Sequence, residues 1–136
     1  MFTNNIRTIT VFFAFVCALA GCRQTVDVHF DPSVSDYTPV VREILENHPE
    51  GNITLRFGKG VYPFYPEKAP EEFLNVSNND SGNKRVAFLL KNMKNVRIAG
   101  DETDFMFHGS MTPFAVKGSV NVEISGISID YDYPWT

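Results

Sequence analysis

Ala87-Phe88-Leu89-Leu90-Lys91-Asn92-Met93-Lys94-Asn95-Val96-Arg97-Ile98-Ala99-Gly100 continues as Asp101-Glu102-Thr103-Asp104-Phe105-Met106-Phe107-His108-Gly109, and from Pro113 onward the chain repeats itself. With Ala87 to Gly109 set beside Pro113 to Trp135, seven of the 23 pairs are identical: Phe88/Phe114, Lys91/Lys117, Asn95/Asn121, Val96/Val122, Ile98/Ile124, Gly100/Gly126 and Asp104/Asp130. Chance supplies about one or two such identities at ordinary residue frequencies. At the same spacing Phe105 and Phe107 fall on Tyr131 and Tyr133, which keeps aromatic residues at the inward positions of an alternating strand.

A unit this short, holding three short strands, cannot bury its apolar face alone and must stack on a copy of itself. The fold expected from the repeat is therefore all-β, a right-handed parallel β-helix (a pectin-lyase-like solenoid) whose rungs lie about 4.8 Å apart. Phe88 would rest on Phe114 and Ile98 on Ile124. Further runs of period two, Ile53/Leu55/Phe57 and Val86/Phe88/Leu90, are separated by Gly, Asn, Asp and Ser, the residues that end strands. Coils are expected from residue 52 onward. Before them Tyr37, Val40, Val41, Ile44 and Leu45 form the apolar stripe of one amphipathic helix over 37–48, with Thr38 as N-cap and Pro39 in the first turn. That helix is expected to cap the first rung. The last residues follow a core-type strand with no cap, so the C-terminal coils are expected to be missing from an N-terminal piece of a longer protein.

The overall balance narrows the function. Twelve Lys and Arg against 16 Asp and Glu give a net charge of -4, which argues against nucleic acid as a partner, because that affinity comes from neutralised phosphates. At 43% hydrophobic and 13% aromatic the chain is too apolar for a disordered tail. Cys17 and Cys22 are the only cysteines, with no CxxC or HExxH spacing, so no metal site and no cofactor are expected. Residues 8–22 form an apolar run after a start whose single charge is Arg7, the layout of a signal peptide and too short for a spanning helix. Leu19-Ala20-Gly21-Cys22 resembles the bacterial lipobox, which implies a signal at 1–21, lipidation of Cys22, a tether over 22–35 and a β-helix domain over 36–136. Two acyl chains give stable anchoring. The location implied is the bacterial outer membrane, cell surface or periplasm, with the membrane held through the lipid on Cys22.

Phe57-Gly58-Lys59-Gly60-Val61-Tyr62-Pro63-Phe64, Val76-Ser77-Asn78-Asn79-Asp80, Phe107-His108-Gly109, Pro113-Phe114 and Ser128-Ile129-Asp130-Tyr131-Asp132-Tyr133-Pro134 resemble, in this order, the first coils of the bacterial α-1,3-galactosidases, including those active on the blood-group B antigen. The resemblance implies metal-independent hydrolysis of a terminal α-1,3-linked galactose with inversion, and a glycan with terminal galactose as the partner. It places the catalytic carboxylates beyond residue 136, so the chain alone is expected to be inactive.

The residues present offer substrate-binding candidates. With Tyr131 and Tyr133 inward, Asp130 and Asp132 point outward about 6.6 Å apart along the strand, near the carboxylate separation of inverting glycosidases. The repeat puts Asp104 one rung from Asp130, and with His108 these residues would edge a sugar-binding cleft. The alternative is an ordinary solvated strand face. Tyr62 and Tyr65 could stack on sugar rings or pack in the core. Three function classes stay open: the glycoside hydrolase, another β-helix carbohydrate enzyme such as a polysaccharide lyase, and a non-catalytic surface lipoprotein that binds glycan.

Overall fold

The computed structural model describes residues 25–77 and 80–132, together with the backbone of Val11–Phe12. In chain order the elements are β1 (Val11–Phe12), β2 (Val26–Phe30), α1 (Thr38–Asn47), β3 (Gly51–Phe57), β4 (Gly60–Phe64), a single 3-10 turn at Pro66–Lys68, β5 (Glu71–Leu74), β6 (Gly82–Lys91), β7 (Lys94–Phe107), β8 (Thr112–Lys117) and β9 (Val120–Tyr131).

Two sheets result. The larger has the order β1-β2-β3-β7-β4, with β9 also paired to β7, and the smaller has the order β5-β6-β8. This corrects the expected right-handed parallel β-helix. The solenoid expected from a uniform repeat has every rung parallel and one spacing along the chain. Here β1 pairs antiparallel with β2, and β5 pairs antiparallel with β6. The spacing is also uneven: Val26 meets Ile53, Ile53 meets Val96, Val96 meets Val122 and Thr103 meets Ile127, a different interval at each step. The described residues are thus a mostly β arrangement of two sheets and one helix. The internal similarity correctly locates two parallel neighbours, β6 with β8 and the first half of β7 with β9. It does not govern the rest, because the earlier segments are not copies of it. Strand β2 also lies inside the stretch 22–35 that the sequence suggested as a tether.

Alternation fixes which side chains enter the core. Ile53, Leu55, Phe57, Val86, Phe88, Leu90, Val96, Ile98, Phe105 and Phe107 are all buried. Aromatic rings from neighbouring segments then stack: Phe30 on Phe57 at 4.4 Å, Phe88 on Phe114 at 4.8 Å and Phe64 on Phe107 at 5.0 Å between centroids. Each such pair contributes about 0.5–1.5 kcal/mol beyond its area. Ile124 does pair with Ile98, yet Ile124, Ile129, Val116 and Val120 remain exposed, since among the described residues no strand pairs with the other edges of β8 and β9.

Helix α1 buries Val41 and Leu45 against this core, as its stripe predicts, with Val40 and Ile44 partly covered. Its cap differs. Tyr37 occupies the N-cap, and the Thr38 hydroxyl instead accepts a hydrogen bond from the Tyr65 amide at 2.9 Å. The buried Tyr37 hydroxyl donates to the Asp31 carbonyl at 2.5 Å, tying the helix entry to the end of β2.

Two corners organise the larger sheet. At the first, Asn52, Asn95 and Asn121 each adopt a left-handed backbone (φ 54°, 55° and 59°). Their amides form a ladder, Asn95 Nδ2 donating to Asn52 Oδ1 at 2.9 Å and Asn121 Nδ2 to Asn95 Oδ1 at 2.8 Å. Asparagine suits this role because it tolerates that backbone and carries both donor and acceptor. At the second, β7 bulges between Ala99 and Thr103. The buried Thr103 hydroxyl accepts from the Asp101 amide at 2.9 Å and lies 3.0 Å from the carbonyls of Phe57 and Gly58.

Candidate functional site

That bulge decides where the candidate residues fall. Ala99 faces Ser125, but Thr103 faces Ile127, so β9 turns the corner in a shorter stretch of chain than β7. Beyond the corner every partner shifts. Phe105 meets Ile129 and Phe107 meets Tyr131, rather than Tyr131 and Tyr133 as the uniform repeat implied. Tyr131 packs partly buried against Phe107 with centroids 5.8 Å apart. Tyr133 lies outside the described residues.

The same shift separates two of the four candidates and joins the other two. Asp104 faces Ser128 and Asp130 faces Met106, so Asp104 and Asp130 are not the rung neighbours expected. Both are exposed. The Asp130 carboxylate accepts from the Tyr131 amide at 2.8 Å. His108 and Asp132 instead come together, Nδ1 to Oδ2 at 2.6 Å, with side chains 23% and 34% exposed. An ionised carboxylate can only accept, so in this contact Nδ1 carries the hydrogen. The backbone supports the pair on both sides: the His108 amide donates to Phe64 O at 2.9 Å and the Asp132 amide to Phe107 O at 3.2 Å. Tyr65 completes the column. Its ring stacks on His108 with centroids 4.2 Å apart and planes 4° from parallel.

Tyr65, His108 and Asp132 thus occupy the same place on three neighbouring segments, immediately after the core aromatics Phe64, Phe107 and Tyr131. They present a hydroxyl, a ring nitrogen and a carboxylate in a row. Such a row can hydrogen-bond adjacent hydroxyls of a polyol, and a carboxylate held in place by an imidazole is a preoriented acceptor. Tyr62, the other aromatic candidate, is wholly buried and its hydroxyl donates to Phe30 O at 2.9 Å, with Gly58 O at 3.0 Å. Burial pushes its phenol well above the ordinary tyrosine range. It belongs to the core.

A second polar cluster was not legible in the sequence. Glu72, 14% exposed, lies 2.6 Å from Lys117 Nζ and 3.4 Å from Lys91 Nζ. The Lys117 hydrogen bond holds its carboxyl below the usual carboxylate range. Lys91 and Lys117 are repeat mates that face each other across β6 and β8, but nothing in their spacing points to Glu72, which belongs to a segment outside the repeat. Cys22 lies outside the described residues. Among the described residues no group of three or more His, Cys, Asp or Glu side chains is placed to hold a metal ion, and no helix is long and apolar enough to cross a membrane.

Comparison with protein-family models gives no match. Comparison with curated proteins does. The chain is 38% identical over 106 residues to an alpha-1,3-galactosidase A of Shewanella woodyi, covering 76% of this chain and 17% of that protein. It is 37% identical over 87 residues to an alpha-1,3-galactosidase B of Akkermansia muciniphila, covering 63% of this chain and 11% of that protein. It is 34% identical over 115 residues to an alpha-1,3-galactosidase B of Parabacteroides distasonis, covering 84% of this chain and 18% of that protein. The chain therefore spans less than a fifth of the length of each of these relatives.

Proposed function

We propose, from a chain that is homologous to the alpha-1,3-galactosidases over most of its own length, that the whole protein to which it contributes is a glycoside hydrolase releasing terminal α-1,3-linked galactose from a glycan. The observation that carries this reading is the similarity of this chain to several such enzymes, over a small share of the length of each. Hydrolysis with inversion adds one water to the anomeric carbon on the face opposite the departing oxygen, which takes a proton from a general acid. The reading assigns neither carboxylate of that reaction to this chain. His108 and Asp132 serve as a substrate-edge pair that orients hydroxyls, with Asp104 and Asp130 apart from them on the strand surface. The protein is carried on the bacterial surface or periplasmic side of the membrane by lipid on Cys22.

The test uses the full-length gene product with an α-1,3-galactosyl disaccharide and its α-1,6-linked isomer. Galactose released from the first and not the second, appearing first as the β-anomer by NMR, is the expected result. Binding of the disaccharide without release would instead favour a non-catalytic glycan binder. For the anchor, Cys22→Ala should move the protein from the membrane fraction to the soluble one. Retention in the membrane would remove lipidation from the account.

A further inference from the structure

Between Phe64 and Val86 the chain takes a much longer path than between their partners Phe107 and Thr112, and the excess builds the 3-10 turn and the antiparallel hairpin of β5 with the first half of β6. The insertion is held down firmly on one side. Glu72 faces inward to Lys117 and Lys91, and Lys117 Nζ also donates to Phe73 O at 3.3 Å. The Val86 amide donates to Pro70 O at 3.0 Å, and Arg85 Nη1 to Ala69 O at 3.2 Å. Such anchoring exceeds what a loop that merely connects two strands requires.

The other side faces solvent. Phe73 is 54% exposed and sits opposite Asn83, while one step along the same face Glu71 and Arg85 pair at 2.8 Å. Phe73 thus stands in solvent on a strand face that also carries Asn83 opposite it and the Glu71–Arg85 pair one step along. Planar polar groups around a bare aromatic face match the chemistry of a pyranose, which has a C–H face and a rim of hydroxyls. The rigid backing keeps the ordering cost of binding small.

We propose that Phe73, Asn83, Glu71 and Arg85 form a carbohydrate-binding subsite on the β5–β6 hairpin, separate from the His108–Asp132 corner, with Phe73 under the apolar face of one pyranose ring. This rests on the glycan reading above for its ligand class and adds the place where part of the glycan is held.

The test is amide-resolved NMR titration of the chain with methyl α-D-galactopyranoside and with the α-1,3-galactosyl disaccharide. Shifts should concentrate at residues 71–74 and 82–85. Phe73→Ala should weaken binding at least tenfold while leaving the melting temperature unchanged, and Phe73→Trp should retain it. Glu72→Gln, which touches no ligand, should weaken binding severalfold by loosening the hairpin. Wild-type affinity in Phe73→Ala, shifts confined to Tyr65, His108 and Asp132, or no response to either sugar would each overturn the subsite. Galactose release by the full-length product is measured alongside. Release without hairpin binding sinks the subsite alone, and hairpin binding without release sinks the hydrolase reading alone.

Discussion

Gly100 and Gly126 pass so close that neither can carry a side chain. A Cβ on Gly100 would lie 2.5 Å from the Gly126 carbonyl oxygen, and one on Gly126 would collide with the Gly100 carbonyl. Gly126 also has φ +71°, the left-handed region. This contact marks the corner at which the register between β7 and β9 changes, with Ala99 facing Ser125 before it and Thr103 facing Ile127 after it.

Gly126→Ala should therefore destabilise the chain by about 2–4 kcal/mol, combining the cost of a left-handed alanine with that of overpacking. Urea unfolding gives the number, and a midpoint equal to wild type would show that the two backbones are not in contact.

The asparagine ladder makes a prediction about order. At Asn95, with φ 55° and two amide bonds, glycine loses the bonds but keeps the backbone, whereas alanine loses both. Asn95→Ala should be less stable than Asn95→Gly by about 1 kcal/mol. The reverse order would mean that the left-handed dihedral does not set the residue at this position.

Asp132→Ala should cost no more than about 1 kcal/mol of stability, since a partly exposed pair with His108 contributes little. In the full-length product the same change should raise KM for the disaccharide with kcat much less affected. An unchanged KM removes the corner from the substrate path.

The hairpin should respond to acid. Glu72 is held below the ordinary glutamate range by Lys117, so its contribution is complete above the ordinary value and fades as pH falls through the lowered one. Wild type should lose amide protection at residues 71–74 over that acidic interval. Glu72→Gln should show the loosened hairpin already at neutral pH and no further acid step. An identical acid profile in both proteins would assign the transition to other carboxylates.

Much of the core was legible because burial on a strand depends on local alternation. Ile53, Leu55, Phe57, Phe105 and Phe107 enter it as their spacing requires. The repeat also pairs Phe88 with Phe114 correctly, since identical residues lie where neighbouring strands offer each other the same environment. The hairpin was missed for the converse reason: Glu71 to Leu74 is short, carries two carboxylates and has no repeat mate, so its strand exists only through pairing with Gly82 to Arg85. Of the site candidates, His108 and Asp132 were named from sequence but not as a pair.

The sequence by itself determined the inward and outward faces of the strands, the helix stripe and the pairing of the two repeated segments, all of which follow from side-chain pattern along the chain. Only the tertiary structure decided the two mixed sheets and the meeting of His108 with Asp132. That meeting depends on how much chain each strand spends in turning one corner. The amount is set by the contact of Gly100 with Gly126 and by the Thr103 hydroxyl reaching Phe57 and Gly58, long-range constraints of which the repeat shows the two matched glycines but not the change of register.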